Sequence, residues 1–378
     1  MHNLILIFAI VKKVIISVSN DLATDQRVQR HISVLLKEGY QVNFIGRILP
    51  HSLEFVPDNY QVKRFKLWFR AGFLFYANLN VRLFFYLLYH KADLYFSNDL
   101  DTLLPNYLVA KIYGKPLIYD SHEYFTGVPE IQNRKLVKQV WTSLEALIFP
   151  KLKHLITVNH SIADLYESDY GIRPQVIRNV SSKFLPENRM TRGELNLPEN
   201  AFLIINQGSG INVDRGMEEM LEALLLLPKN FHFLLVGKGD VLAHLKQKAQ
   251  AVSLLDRVHF IPSQPYSQML QYTLNADLGI SLDKDTNINY RFSLPNKVFD
   301  YIKCGIPLLV SNLKEPGALV TKFKIGRIAK VNAPEIAQAI LKISKEDKSI
   351  YTANLVLAAA ENNWEKESAV LVEMLAKI

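Results

Sequence analysis

Cysteine is almost missing from this sequence. One residue, Cys304, stands in 378, so no disulfide closes within the chain and no cysteine-rich zinc site is possible. A reducing cytoplasm suits such a chain. Long hydrophobic runs are missing as well: the first apolar run, Leu4 to Val11, holds eight residues where a bilayer-spanning helix needs about 20. Lys12 and Lys13 follow it without a small-residue cleavage site, which predicts a cytoplasmic protein with a non-essential extension over residues 1–11. No paired aspartates follow a strand end where a diphosphate would lie, so no obligatory metal and no other cofactor is expected. Acidic residues are outnumbered, 36 Asp plus Glu against 44 Lys plus Arg, a formal +8 with a pI near 9.2. That balance favours anionic ligands, anionic lipid or nucleic acid without choosing among them.

What is present is a globular composition, 49% hydrophobic, in a chain longer than one core usually serves. At roughly 100–200 residues per domain, two domains are expected. Val14–Val18 reads as a buried strand, and Val28, Ile32, Leu35 and Leu36 as one face of a helix that Gly39 ends. Further apolar strands follow at Val42–Ile45, Asp93–Phe96, Pro116–Tyr119, His154–Val158 and Gln175–Ile177. The chain then turns polar from Ser181 to Asn200, with Pro186, Gly193 and Pro198, and this reads as a linker. Strands restart at Phe202–Asn206, Phe231–Val236, Val258–Ile261, Leu278–Leu282 and Pro307–Val310, with helices near Glu218–Leu227 and Tyr266–Asn275. Strand and helix alternation implies parallel sheets, and such sheets bind ligands beyond the carboxyl ends of their strands. The expected fold is therefore α/β, two doubly wound Rossmann-like domains facing across a cleft. Their expected bounds are 1–182 and 183–350. Residues 351–378, with Trp364, Leu371, Met374, Leu375 and Ile378 at helical spacing, are expected to form an amphipathic segment that crosses back onto the first domain.

The densest chemical signal is Asn289–Ser311, NYRFSLPNKVFDYIKCGIPLLVS. Ser293, Leu294 and Pro295 read as a loop entering a helix, with Pro295 pre-set for the first turn, and Gly305 and Pro307 end that helix. Its free N–H groups and dipole favour a phosphate. Lys297 in the first turn opposes the dipole and so points to a ligand, and Asp300 one turn later is placed to accept ribose hydroxyls. A structural helix with a solvated lysine and aspartate explains the same residues. Gly208, within Asn206–Gly210, follows the first strand of the second half, and Arg215 precedes its helix; glycine lets the backbone approach phosphate and arginine forks onto its oxygens. An ordinary loop with a surface arginine is the alternative. Gly237 and Ile261 close two more strands, where loops can line a nucleotide base and its ribose. In the first half, the segment Tyr119–Glu123 (YDSHE) ends a strand, and Asp99 lies just past the neighbouring strand. Acid, imidazole and acid there make His122, Glu123 and Asp99 the catalytic candidates, against a His122 that merely braces its loop. Asp25 and Arg27 follow the first strand, and read either as a loop element or as a helix cap and a solvated charge.

The segment from Pro295 to Pro307 resembles the donor-binding helix of GT-B glycosyltransferases, above all the large retaining family 4. A proline, a lysine and an acidic residue precede a Gly-x-Pro ending in both. The resemblance implies donor contacts at Gly208, Arg215, Gly237, Ile261, Pro295, Asn296, Lys297 and Asp300, with Asp300 matching the family's ribose-binding glutamate. It implies a nucleotide-sugar donor and a lipid-linked or saccharide acceptor, as in cell-surface polysaccharide synthesis, with His122 and Glu123 as acceptor-side or donor-sugar contacts and Asp99 as a catalytic candidate beside them. The chain departs from the pattern at Phe292, where the family has a first acid that contacts the transferred sugar. A nucleotide-sugar epimerase of the same form, or a degenerate binding subunit, remains open on these residues.

No acidic residue occurs between Asp58 and Asp93, while Lys63, Arg64, Lys66, Arg70, Arg82 and Lys91 interleave with Phe65, Trp68, Phe69, Phe73, Phe75, Tyr76, Phe84, Phe85 and Tyr86. Such a mixture suits an anionic membrane surface, here the inner face of the plasma membrane with the protein attached peripherally. Core aromatics beside a solvated basic face would produce the same pattern. No recognised nucleic-acid module surrounds the stretch, so nucleic acid is not an expected partner.

Overall fold

The computed structural model describes residues 11–22, 25–50, 52, 54, 56–132 and 134–378. The apolar run over 4–10, and with it nearly all of the expected extension, lies outside the described residues. Two compact units result, one comprising 1–178 and 368–378, the other 179–367.

In the first unit seven strands, β1 (Lys13–Asp21), β2 (Gln41–Arg47), β3 (Gln61–Phe65), β4 (Leu94–Asn98), β5 (Leu117–Ser121), β6 (His154–Thr157) and β7 (Gln175–Val176), pair in the order β3-β2-β1-β4-β5-β6-β7. Every pairing is parallel. The second unit repeats the plan with β8 (Phe202–Gly208), β9 (Phe231–Gly237), β10 (Val258–Ile261), β11 (Leu278–Ser281), β12 (Leu308–Ser311) and β13 (Gly326–Ala329), ordered β10-β9-β8-β11-β12-β13 and again parallel. The strand order reverses at β1/β4 and at β8/β11. Those two crevices are where each sheet is built to take a ligand.

Local chemistry explains the elements that frame the crevices. The helix Gln26–Lys37 starts where Asp25 accepts from the Val28 N–H at 3.1 Å, buries Val28, Ile32 and Leu35, and stops before Gly39, whose φ of 80° suits glycine. Asp25 is thus a helix cap. The helix Asn296–Cys304 lies over β8 and β11 because the buried Tyr301 hydroxyl donates to the carbonyls of Ile205 and Ile280, at 3.2 Å each. Gly279 leaves room for that ring: a Cβ there would stand 2.3 Å from Tyr301 Cγ. Pro295 sits at the N-cap, one position ahead of the first turn it was expected to open, and Gly305 ends the helix at φ 73°. Around them, fully buried Leu203, Ile204, Ile205, Leu278 and Ile280 each contribute about 1.5–3 kcal/mol of burial.

The helix Ser349–Glu361 belongs to the second unit, so the division falls at 367/368 and not at 350/351. The last helix, Trp364–Leu375, buries Trp364, Leu371, Met374 and Leu375, and residues 368–378 group with the first unit. No helix among the described residues is long and apolar enough to cross a membrane.

Within the stretch 63–91 the aromatics divide. The helix Gly72–Tyr89 buries Phe75, Leu79, Leu83 and Leu87, four residues apart, and Phe65 is buried beside them. Trp68 (77%), Phe73 (77%), Tyr89 (78%), Leu74 and Phe85 stay exposed. Three contacts hold the connecting loop in place: Arg82 donates to the Lys66 carbonyl at 2.9 Å and stacks on Trp68, and Arg47 donates to the Arg70 carbonyl at 3.2 Å.

Candidate functional site

Two clusters of polar side chains stand at the carboxyl ends of the two sheets. In the second unit, Asn206 and Gln207 near the end of β8 are buried, and Gly208 closes the strand with φ 137°. Lys297, in the first turn of the helix Asn296–Cys304, donates to Asn206 Oδ1 at 2.6 Å. Burial lowers the Lys297 ammonium to about 8, with Asp283 opposing the shift and Arg215 adding to it. Both cations are therefore close enough to sense one another. Arg215 Nη1 donates to Asp283 Oδ2, and its guanidinium lies over the Tyr290 ring at 4.1 Å. Ser293 Oγ donates to the same Asp283 oxygen at 3.0 Å. The following helix, Met217–Leu225, begins against the end of β11 because Gly216 has no side chain: a Cβ there would stand 2.4 Å from the Leu282 carbonyl. No side chain caps the N–H groups at the start of Asn296–Cys304. Two cations and free N–H groups at one strand end can hold an anion carrying more than one charge.

The other expected donor residues fall around this centre with different duties. Gly237 ends β9, and a Cβ on it would meet the Gly208 carbonyl at 1.9 Å, so its glycine serves the packing of two strand ends. Ile261 is the last residue of β10, half-buried and paired with Val236. Pro295 is half-buried and Asn296 exposed at the helix start. Asp300 faces inward. It is 5% exposed and accepts from Gln207 Nε2 at 3.1 Å and from the Tyr266 hydroxyl, with Lys303 Nζ at 3.7 Å. Burial raises its carboxyl, against the pull of Lys303, Tyr266 and Gln207.

In the first unit, His122 follows β5 and is held on both sides. Its Nδ1 lies 3.3 Å from Asp99 Oδ2, and its Nε2 lies 3.3 Å from both Asp120 Oδ2 and Asn98 Oδ1. Its backbone N–H also donates to Asp99 Oδ1 at 2.9 Å. Burial disfavours the imidazolium, but Asp99 and Asp120 outweigh it and push the ring up to about 9. At neutral pH His122 is thus a fixed cation, with no free lone pair for a proton. Asp99 adopts φ 57° and ψ 163° at the N-cap of the helix Leu100–Tyr113, a strained conformation for a residue with a side chain. The Glu123 side chain is exposed, while its carbonyl is gripped by Ser121 Oγ at 2.5 Å and the Tyr166 hydroxyl at 3.3 Å.

Of the remaining polar groups, one was read as a loop element or a solvated charge, and two went unread in the sequence. Arg27 is no solvated charge: it is 3% exposed, forks onto Asp120 through Nε (2.8 Å) and Nη2 (2.7 Å), and donates from Nη1 to the Ile177 carbonyl at 2.7 Å. His31, fully buried 3.4 Å from Asp120, is lowered by burial to about 3 and stays neutral. Asp283, the first acid after the strand at 278–281, was legible from that position alone. Asp101 also stands out, because burial and the Asp99 charge raise its carboxyl to about 7. Among the described residues, no group of three or more histidine, cysteine, aspartate or glutamate side chains is placed to hold a metal.

Comparison with known proteins places these clusters in context. Residues 188–362 match the family model described as glycosyl transferases group 1, and residues 26–180 match that of glycosyltransferase family 4. A chitobiosyldiphosphodolichol beta-mannosyltransferase of Debaryomyces hansenii is 26% identical over 171 residues, 44% of this chain. The match spans 31% of that relative's own length. The solved sucrose-phosphate synthase of Thermosynechococcus elongatus superposes with a TM-score of 0.78 at 17% identity, over 97% of this chain and 98% of its own. Anabaena HepE, solved in complex with UDP, superposes at 0.74 with 15% identity, over 97% and 100% of the two chains. At such identities the two structures speak for a shared fold.

Proposed function

Because the chain is a glycosyltransferase of the GT-B fold, related to the group 1 and family 4 enzymes, we propose that it transfers a sugar from a nucleotide-sugar donor to a lipid-linked or saccharide acceptor, with retention, in cell-surface polysaccharide synthesis. The observation that carries this reading is that Arg215 and Lys297 are held at the ends of β11 and β8, by Asp283 and Asn206, with the uncapped helix start at Asn296. In this reading the donor diphosphate lies on those groups. As the bond from the anomeric carbon to the diphosphate oxygen breaks, the negative charge that builds on the leaving group meets donors already in place, and the acceptor oxygen bonds the carbon while its proton passes to the departing diphosphate oxygen. Asp300 orders Gln207 and Tyr266 at the ribose end. On the acceptor side, His122 acts by charge and position, fixed by Asp99, and Glu123 offers an exposed carboxylate. The relative's name, with its diphosphodolichol, supports an acceptor joined to lipid through a diphosphate.

Thermal unfolding with UDP-, GDP-, ADP- and CMP-sugars, each with and without EDTA, tests the donor. One nucleotide sugar is expected to stabilise the protein by about 2.7 kcal/mol at a hundredfold excess over its Kd, with EDTA making no difference. If none does, the donor assignment falls; if chelation abolishes the effect, a metal belongs in the site. Turnover then separates the rivals, since transfer requires an acceptor, epimerisation does not, and a binding subunit shows neither.

Membrane attachment is part of the same proposal, supported by the exposed Trp68, Phe73 and Leu74 beside the exposed Lys63, Lys66 and Arg70. Arg64 stands apart, because it pairs with Asp21 at 2.7 Å. Each cation near an anionic leaflet contributes about 1 kcal/mol, so changing Lys63, Lys66 and Arg70 together to glutamine is expected to weaken binding to phosphatidylserine vesicles about a hundredfold. Donor binding should not change. An unmodified protein that ignores such vesicles at low salt would refute the attachment.

A further inference from the structure

Asp283 has an oxygen that the donor reading above does not use. The side chain is 1% exposed at the carboxyl end of β11, directly beside the crossover. Its Oδ2 accepts from both Arg215 and Ser293, while Oδ1, also buried, accepts no hydrogen bond from any of the described residues. A buried carboxylate oxygen left this way is costly, and groups of this kind persist where a ligand supplies the donor. What that donor can be follows from charge. A carboxylate accepts and cannot donate, and it repels a phosphate, so the diphosphate held by Arg215 and Lys297 cannot be its partner. Two parts of a nucleotide sugar adjoin the diphosphate and carry O–H donors, the ribose and the transferred sugar; the donor reading above places the ribose at Asp300, which leaves the transferred sugar for Asp283. Phe292, whose ring lies 5.9 Å from Lys314 Nζ, has no acceptor to offer it.

We propose that Asp283 is the residue that recognises the transferred sugar, its Oδ1 accepting a hydrogen bond from a sugar hydroxyl while its Oδ2 keeps Arg215 aimed at the diphosphate. The inference rests on the donor reading above. Tyr290, which touches Asp283 through Arg215, and Ser293, which touches it directly, both come from the segment 284–294, so under this proposal a sugar that reaches the buried Oδ1 must do so with local movement around Asp283. One carboxylate then couples the two halves of the donor. Its oxygen on the cation side sets where the diphosphate lies, and its other oxygen tests what is attached to it.

The experiment compares a nucleoside diphosphate with its sugar conjugate. Calorimetry is run on the intact protein with UDP and UDP-glucose, GDP and GDP-mannose, and ADP and ADP-glucose, and then with the singly deoxygenated sugars of whichever pair binds. In the unmodified protein one deoxy sugar is expected to bind roughly tenfold or more weakly than its parent. In Asp283→Asn the parent should lose that same factor, the deoxy sugar should lose little further, and the free diphosphate should change least. Asp283→Ser carries the same comparison if the asparagine variant does not fold. Equal losses for the diphosphate and its sugar conjugate would make Asp283 only a support for Arg215 and overturn the proposal. So would a deoxy penalty that persists unchanged in the variants. If the unmodified protein binds none of these nucleotides, the donor reading itself fails, and this inference with it.

Discussion

Replacing Arg27 with alanine is expected to destabilise the first unit by about 3–5 kcal/mol, because it strands a buried charge. Asp120 is fully buried, and Arg27 supplies two of its hydrogen bonds, at 2.7 and 2.8 Å. Arg27 and the nearby histidines hold the Asp120 carboxyl well below its usual range despite burial. His31 cannot take over, since burial keeps it neutral down to about pH 3. His122 shares Asp120 but is also committed to Asp99. The arginine additionally ties the helix Gln26–Lys37 to the carbonyl of Ile177, so its loss loosens two elements at once. Urea denaturation followed by circular dichroism gives the number, and a loss under about 1 kcal/mol would show the pair to be dispensable. Arg27→Lys is not a conservative control, because an ammonium cannot fork onto both carboxylate oxygens.

Lys297→Ala is expected to weaken donor binding by about 1.5–3 kcal/mol, the worth of a charged hydrogen bond. Arg215→Ala should weaken it by a similar amount, but it also strips Asp283 of its cationic partner and leaves it Ser293, so part of its effect will appear as lower stability. Lys297 is the cleaner probe, because its partner in the protein is the neutral Asn206. It also carries a pH signature. Its ammonium is lowered to about 8, chiefly by burial, and an incoming diphosphate restores the preference for charge. Binding therefore takes up a proton near pH 8, so affinity is greatest below pH 8 and declines as pH rises through that value. Calorimetry in two buffers of different ionisation enthalpy measures the uptake directly. Unchanged affinity in Lys297→Ala, or affinity flat from pH 7 to 9.5, would remove Lys297 from the site.

Much of this architecture was readable because buried parallel strands announce themselves as apolar runs. Five strands of the second sheet and six of the first stand out in this way. The two that do not, Gln61–Phe65 and Gly326–Ala329, are edge strands with partly exposed, mixed sequences, so neither face demands an apolar pattern. The places of Arg215 and Lys297 could be read because one lies in the loop between β8 and the next helix and the other in the first turn after Pro295. Arg27 was not, since its partner lies 93 residues away and nothing local separates a buried arginine from a solvated one. The stretch 63–91 is ambiguous for a similar reason: its helix spaces apolar residues almost all the way round, and only packing decides that Phe75 is buried while Phe73 is exposed. For Asp300 the sequence places the residue on the helix but cannot show that Gln207 and Tyr266 have claimed its oxygens.

The backbone at Asp99 sets two kinds of selection against each other. Its φ of 57° and ψ of 163° lie in territory that glycine occupies freely and other residues enter at about 1–3 kcal/mol. Heat resistance alone therefore favours glycine at this codon. Yet glycine has no carboxylate, and it is the Asp99 carboxylate that holds both the backbone N–H and the ring of His122. A library sorted for survival at high temperature and one sorted for turnover should part company here, and a laboratory that stabilises this enzyme by consensus or screening must hold this single position fixed.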